Sequence, residues 1–316
     1  MLEASSASFI AERYALGDRA TLTGPVARGE LGQVWRLITS NGTWAVKEPF
    51  EPKSEAESRE EAEIQGIARE AGIPVPGVIR SADGDVSLVV GDVRICTFEW
   101  VDVLERDPGL DPVAVGRLVA SIHRVPFPEI RGEDPWYREP ITNDRWRELS
   151  DHLEAARAPF ADELASYRAE LAALGAVVEP PTVLQTCHRD LWADNLRATP
   201  DGGLCVLDWE NFGLADPSQE LCLVLFEFGA GEAERARDIY RAYVETGGPG
   251  RVTGRRTFSM LIAQLGHIGE AGCKQWLTAE ASSPEREHAA TWVGEFLAQP
   301  LSSDAIARIL DAIRSR

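Results

Sequence analysis

A chain of 316 residues, 44% of them hydrophobic, is long enough to bury a full core and to divide into two lobes. Its net charge of -19 argues against nucleic acid and anionic membrane surfaces as partners, since both require clustered Lys and Arg, and it leaves a cationic substrate open. No apolar run approaches the ~20 residues of a membrane span, and residues 1–8 carry no basic and apolar leader, so a cytoplasmic location is expected.

The five cysteines are scattered singly, without C-x-x-C spacing, and read as free, mostly buried thiols. Lysine occurs only three times among the 32 basic residues, at Lys47, Lys53 and Lys274. Arginine serves wherever a generic positive charge is needed, as in a G+C-rich genome. A lysine kept in an apolar strand therefore calls for a reason.

In chain order, residues 22–50 read as a strand pair: Val34-Trp35-Arg36-Leu37-Ile38, the turn signal Ser40-Asn41-Gly42, then Thr43-Trp44-Ala45-Val46-Lys47. Before it, residues 24–32 hold Gly29 and Gly32, of the kind that lets a loop bring backbone amides near phosphate oxygens; a plain turn is the alternative. Lys47 closes its apolar strand, placed either to meet phosphates or simply to point into water at a strand end. Residues 54–71 predict a helix with a Ser54 cap, acidic first turns and Ile64, Ile67, Ala68 and Ala71 at helical spacing. Glu60 shares that inward face and is the expected ion-pair partner of Lys47, with Glu61 and Glu63 as alternatives. Gly72-Ile73-Pro74-Val75-Pro76 ends the helix, and two strands follow at residues 86–90 and 93–98.

After about residue 110 the pattern turns helical, at residues 113–123, 144–174 and from 218 onward, with proline-rich connections between. Short apolar runs at 182–184 and 203–207 predict buried strands on either side of His188-Arg189-Asp190-Leu191-Trp192-Ala193-Asp194-Asn195. Asp208-Trp209-Glu210 follows the second run. Residue types at this spacing suit transfer of phosphate from ATP to a hydroxyl. Asp190 would orient the hydroxyl and accept its proton late, while Asn195 and Asp208 supply hard oxygens for Mg2+. With four Asn and five His in the chain, H-x-D-x-x-x-x-N is rarely met by chance, and Lys47, a helix acid and Asp208 accompany it in the right order. His188 reads as structural, and Arg189 and Asp194 as surface or salt-bridge residues of the loop.

These residues resemble the aminoglycoside phosphotransferase family, a branch of the protein-kinase-like fold that also holds choline, homoserine and macrolide kinases. The resemblance runs through Trp44-Ala45-Val46-Lys47, Gly72-Ile73-Pro74-Val75-Pro76, Phe98-Glu99-Trp100, Ser121-Ile122-His123, residues 188–195, Asp208-Trp209-Glu210 and Asp216-Pro217. It implies an α+β two-lobe fold. Residues 1–98 would form a small lobe with a five-stranded antiparallel sheet and one main helix, 99–102 a hinge, and 103–316 a mainly helical lobe, with ATP in the cleft. By the same resemblance the backbones of Glu99 and Val101 would bind the adenine edge. Val103 stands where the family often has glycine, and Glu220 where it commonly has aspartate. Glu210 replaces the glycine of D-F-G, and Asp216-Pro217 follows too soon for a long activation segment, which favours a small hydroxylated acceptor over a protein. No obligate protein partner is inferred. Glu227, Glu270 and Trp276 are conceivable contacts for a cationic acceptor, although each reads more readily as helix surface or core.

Overall fold

The structure, a computed structural model, describes residues 1–29 and 31–315. It opens with α1 (Ala7–Arg13), β1 (Thr21–Arg28), β2 (Gly32–Thr39), β3 (Gly42–Pro49), α2 (Glu55–Glu70), β4 (Val78–Ile79), β5 (Ser87–Val90) and β6 (Val93–Glu99). There follow α3 (Pro112–His123), α4 (Asn143–Ala155), α5 (Ala161–Gly175), β7 (Gln185–Cys187), β8 (Leu196–Ala198), β9 (Leu204–Val206) and β10 (Gly213–Ala215). The chain ends in α6 (Pro217–Gly229), α7 (Ala233–Glu245), α8 (Ser259–Thr278), α9 (Pro284–Ala298) and α10 (Ser303–Arg314). Two compact units result. Unit 1 comprises Met1–Asp107, Val125–Ile130 and Ala193–Phe212, and unit 2 comprises Pro108–Arg124, Arg131–Trp192 and the chain from Gly213 onward. The division is thus not a single cut at residues 99–102, because two later segments group with the amino-terminal one.

Unit 1 is built on a six-stranded antiparallel sheet in the order β1-β2-β3-β6-β4, with β5 also pairing β6. The sheet thus has one strand more than the five expected, and the sequence pattern announces neither β1 nor the two-residue β4. Thr39 pairs with Gly42, so Ser40 and Asn41 form the tight turn of the β2–β3 hairpin. Leu37, Val46 and Ile95 are fully buried on one face of the sheet, where they pack with Ile10 and Ala11 of α1. Residues 24–28, expected in a glycine-rich loop, instead continue β1. That strand lies at the sheet edge and has a register shift between Thr23 and Ala27, the setting in which Pro25 costs no ladder bond. In α2, Ser54 and Glu57 exchange hydrogen bonds as a capping box and satisfy donors that the first turn leaves open. The β8–β9 hairpin joins the same unit through backbone bonds from Val206 N–H to Pro74 O (2.8 Å) and from Leu104 N–H to Ala198 O (2.8 Å).

Unit 2 is mainly helical. The stretch 144–174, which reads as one helical pattern, is two helices: Pro159 and the left-handed Arg157 (φ 55°) break it between α4 and α5. Trp146, Leu153, Leu164, Cys273, Trp276 and Val293 form its core. The strand expected at 182–184 forms three residues later, as β7, and pairs with β10, while β9 pairs with β8. No helix among the described residues is long and apolar enough to cross a membrane.

One buried acid ties the sheet together. Glu48 on β3 is 2% exposed and accepts hydrogen bonds from Gln33 Nε2 (2.8 Å), Trp35 Nε1 (2.9 Å) and Leu2 N–H (2.9 Å). Burial opposes its ionisation, but these three donors outweigh that and lower its pKa below the ordinary 4.5. A depressed carboxylate contributes stability that is complete above pH of about 4.5 and is lost as pH falls through the folded-state pKa. Glu48→Ala, which strands three donors, is expected to cost about 2–3 kcal/mol in denaturant unfolding. Unfolding of Glu48→Gln followed between pH 7 and about pH 3 should show a smaller acid-induced loss than the parent chain. An equal loss would remove Glu48 from the account.

Candidate active site

In unit 1 the sheet and the β9 exit bring charges of both signs together. Lys47 lies near the end of β3, on the face opposite Val46 and Glu48, and is opposite Val34 and Cys96 in register. Asp208 directly follows Leu207, whose N–H donates to Asn195 O (2.7 Å), so the backbone of Asn195 is fastened beside the start of the Asp-Trp-Glu segment. Asp208 has left-handed backbone angles (φ 54°, ψ 75°), a costly conformation for a residue with a Cβ. Its neighbour Trp209 is buried against Phe127, with ring centroids 5.6 Å apart, which holds the turn in place. Lys47 Nζ donates to Asp208 Oδ1 at 2.6 Å and lies 3.1 Å from Glu210 Oε1. Burial alone would lower the Lys47 pKa, but these two carboxylates override it and raise it above the ordinary lysine value.

Lys47 pairs with Asp208 and Glu210, and Glu61 of α2, one of the acids weighed as its partner, joins the same charge group through Lys53 at 2.8 Å. Gly29 N–H donates to Gly32 O at 2.9 Å across the β1–β2 turn, and Glu30 between them lies outside the described residues. Gly32 has a packing reason to be glycine, since a Cβ there would sit 2.7 Å from Glu48 O on the neighbouring strand. At the end of β6, Glu99 accepts from Arg69 (2.6 Å) and from Gly77 N–H (3.2 Å), and its own N–H donates to Gly77 O (2.8 Å). Val101 lies two residues beyond that strand end.

In unit 2, Asp190 sits on the loop after β7, behind a residue that the sequence understates. Arg189, read as a salt-bridge or surface residue of the loop, is 4% exposed, has a left-handed φ of 66° and lays its guanidinium 4.3 Å from the Tyr137 ring centroid. Gly213 on β10 makes room for it: a Cβ there would lie 2.6 Å from the guanidinium carbon. Asp194, by contrast, is at the surface, paired with Arg106 at 3.1 Å. Gln264 on α8, 2% exposed, turns its Nε2 toward Arg189 O (3.3 Å) and Asp190 Oδ1 (3.5 Å). Both neighbours are acceptors, which fixes the amide orientation and leaves the buried Oε1 without a partner among the described residues. Of the candidate acceptor contacts, Trp276 belongs to the core and Glu270 is committed to Arg145 and Lys274.

The loop is anchored from below by Glu220 of α6, which is fully buried. It accepts from the Arg189 N–H and lies 2.7 Å from His123 Nε2, while His123 Nδ1 lies 2.8 Å from the Tyr243 hydroxyl. Gly250 N–H donates to that hydroxyl at 2.9 Å. A Tyr243 proton given to Nδ1 leaves the Nε2 proton for Glu220, so every donor in the chain has an acceptor. Burial opposes ionisation of Glu220, but the bond from His123 and the surrounding donors lower its pKa below the ordinary value. A carboxylate so placed accepts the loop backbone directly. Among residues that sequence reasoning passed over, Lys53 had a signal, the rarity of lysine, and Gln264 had none. Replacing Glu220 by Ala is expected to destabilise the chain by about 3–5 kcal/mol, read from denaturant unfolding, because His123 and the Arg189 amide lose their buried acceptor. A change below about 1 kcal/mol would show that the anchor is dispensable.

A sequence profile described as the phosphotransferase enzyme family matches residues 23–255. No curated protein matches the sequence. Among solved structures, spectinomycin phosphotransferase in complex with ADP and spectinomycin is 13% identical with a TM-score of 0.73, each chain covered over 98% of its length. An aminoglycoside phosphotransferase from Alicyclobacillus acidocaldarius is 18% identical with a TM-score of 0.62, over 95% of this chain and 93% of that one. Choline kinase from Streptococcus pneumoniae is 16% identical with a TM-score of 0.57, over 92% of this chain and 98% of that one. At such identities these likenesses speak for the α+β kinase-like fold, while the profile covers most of the chain, from β1 to beyond α7. The chain belongs to the phosphotransferase enzyme family.

Proposed function

We propose that this protein transfers the γ-phosphate of ATP, with Mg2+, to a hydroxyl of a small cationic molecule, an aminoglycoside or other antibiotic or an amino-alcohol metabolite. The observation that carries this reading is the Lys47–Asp208 pair at 2.6 Å, which joins an ammonium suited to phosphate with a carboxylate suited to a metal. Asp208 holds a cation already, in the form of the Lys47 ammonium, and together with Asn195 it offers only hard oxygen donors, the set that magnesium prefers. Asn195 and Asp208 would hold Mg2+, which neutralises charge on the phosphate oxygens when bound.

The remaining roles follow from the chemistry of each group. Lys47 would turn its N–H donors to the α and β phosphates, Gly29 and Gly32 would offer backbone near the phosphate chain, and the backbone of Glu99 and Val101 would meet the adenine edge. Every one of these residues lies in unit 1. Asp190 in unit 2 would accept a hydrogen bond from the attacking hydroxyl, fix its direction and take its proton as the bond to phosphorus forms. It need not be a strong base, because in a loose transition state the proton leaves late. Gln264 beside it presents a buried carbonyl oxygen, an acceptor suited to an amine or hydroxyl of the same molecule. A small acceptor is favoured because only β10 separates the Asp208 turn from α6. The net charge of -19 permits a cationic one.

Two measurements test this reading. ADP release by the full chain, screened over spectinomycin, aminoglycosides, macrolides, choline and other hydroxylated amines, should appear with at least one of them. It should fall by about 100-fold or more in Asp190→Asn, with ADP affinity unchanged. Lys47→Met should instead weaken ADP binding by about tenfold, read by calorimetry, since one charge-assisted contact is lost. ADP binding without release on any acceptor would point to a nucleotide-binding module and not an enzyme.

A further inference from the structure

In a chain that spends arginine on nearly every positive charge, two of the three lysines meet on one carboxylate. Glu210 Oε1 lies 3.1 Å from Lys47 Nζ, and its Oε2 accepts from Lys53 Nζ at 2.5 Å. Lys53 in turn pairs with Glu61 of α2 at 2.8 Å. The charges alternate along one path: Glu61, Lys53, Glu210, Lys47, Asp208. The Glu210 side chain is only 6% exposed, so water cannot compensate its charge, and a cation must.

The two cations on Glu210 are not equivalent. Lys47 is the one that the nucleotide-site reading commits to phosphate. Its ammonium has three N–H groups, and phosphate oxygens would compete for them with both carboxylates. Drawing Lys47 away from Glu210 is cheap only if another cation stays behind. We propose that Lys53 is a positioning residue for nucleotide binding: it retains Glu210 and ties it to α2 through Glu61, so that Lys47 is released to the phosphates of a nucleoside di- or triphosphate. This rests on the reading of unit 1 as the nucleotide site.

The residue type agrees with the role. A lysine ammonium is a compact point charge on a flexible stem and bridges two carboxylates from different elements, whereas a guanidinium is a planar fork matched to one. Where a generic charge would do, this chain uses arginine; position 53 needs the shape. Burial would lower the Lys53 pKa, but Glu61 and Glu210 outweigh it and keep the amine charged. The relay also links α2 to Lys47 through Glu61, Lys53 and Glu210.

The test is a double-mutant cycle on ADP binding, followed by calorimetry on the full chain in magnesium-containing buffer, with thermal unfolding of each variant to verify folding. Lys53→Met is expected to weaken ADP binding about tenfold in the parent background and less than about twofold in Glu210→Gln, where no buried charge remains to be held. Equal losses in both backgrounds would mean that Lys53 contacts the nucleotide itself, and no loss in either would mean that it has no part; both overturn the relay. If Lys53→Met does not fold, Lys53→Arg carries the same comparison, with a smaller loss that vanishes in Glu210→Gln. Failure of the parent chain to bind ADP would instead overturn the nucleotide site, and the relay with it.

Discussion

A carboxylate taken out of water must be met by donors, and in unit 2 the helices are arranged around that requirement. Glu220 is fully buried on α6, and the groups that answer it come from α3 through His123 and from the loop after β7 through the Arg189 amide. Leaving such a charge uncompensated costs on the order of several kcal/mol, a large part of the stability of an ordinary domain. The loop that carries Asp190 is therefore held by an interaction that the fold cannot easily give up. Its geometry comes with the folding of the unit and is not an added refinement. The left-handed Arg189, with its guanidinium over Tyr137 and its space supplied by Gly213, shows the same economy, since strain at one residue is offset by packing against two.

Unit 1 meets the same constraint differently. Glu220 has neighbours that stay put, whereas Glu210 shares its two oxygens between amines on flexible stems. Amines of this kind can exchange partners with little backbone movement. The first arrangement suits a group that must hold a loop, and the second a group whose partners can be exchanged. Hydrogen bonds from rigid amides and rings fix geometry, while ion pairs to lysine leave it adjustable.

Much of this was legible in the sequence because it depends on local rules. The Ser40-Asn41 turn, the Ser54 cap and the apolar periods of α3 and α6 each follow from a few adjacent residues. The motif from His188 to Asn195 stands out for a different reason, that its His and Asn are rare in this chain. What stayed hidden depends on how elements tilt and meet. The pairing of Glu61 with Lys53 is one example, since no helical period assigns it before α2 is placed on the sheet. The path of residues 24–28 turned on the edge position of β1, which pattern alone does not give. Gln264 reads as one polar residue in a mixed helix, and only burial beside Asp190 singles it out.

The scarcity of lysine makes the charge network chemically addressable. Lys47 and Lys53 are both paired and charged, and Lys274 on α8, paired with Glu270, is the one other side-chain amine in the chain. Acylating or reductive alkylating reagents need a neutral amine, so they would react slowly with the two site lysines while the ion pairs hold and faster whenever a pair opens. Side-chain amine chemistry on this protein is then close to a site-specific readout, with a single reference residue in unit 2.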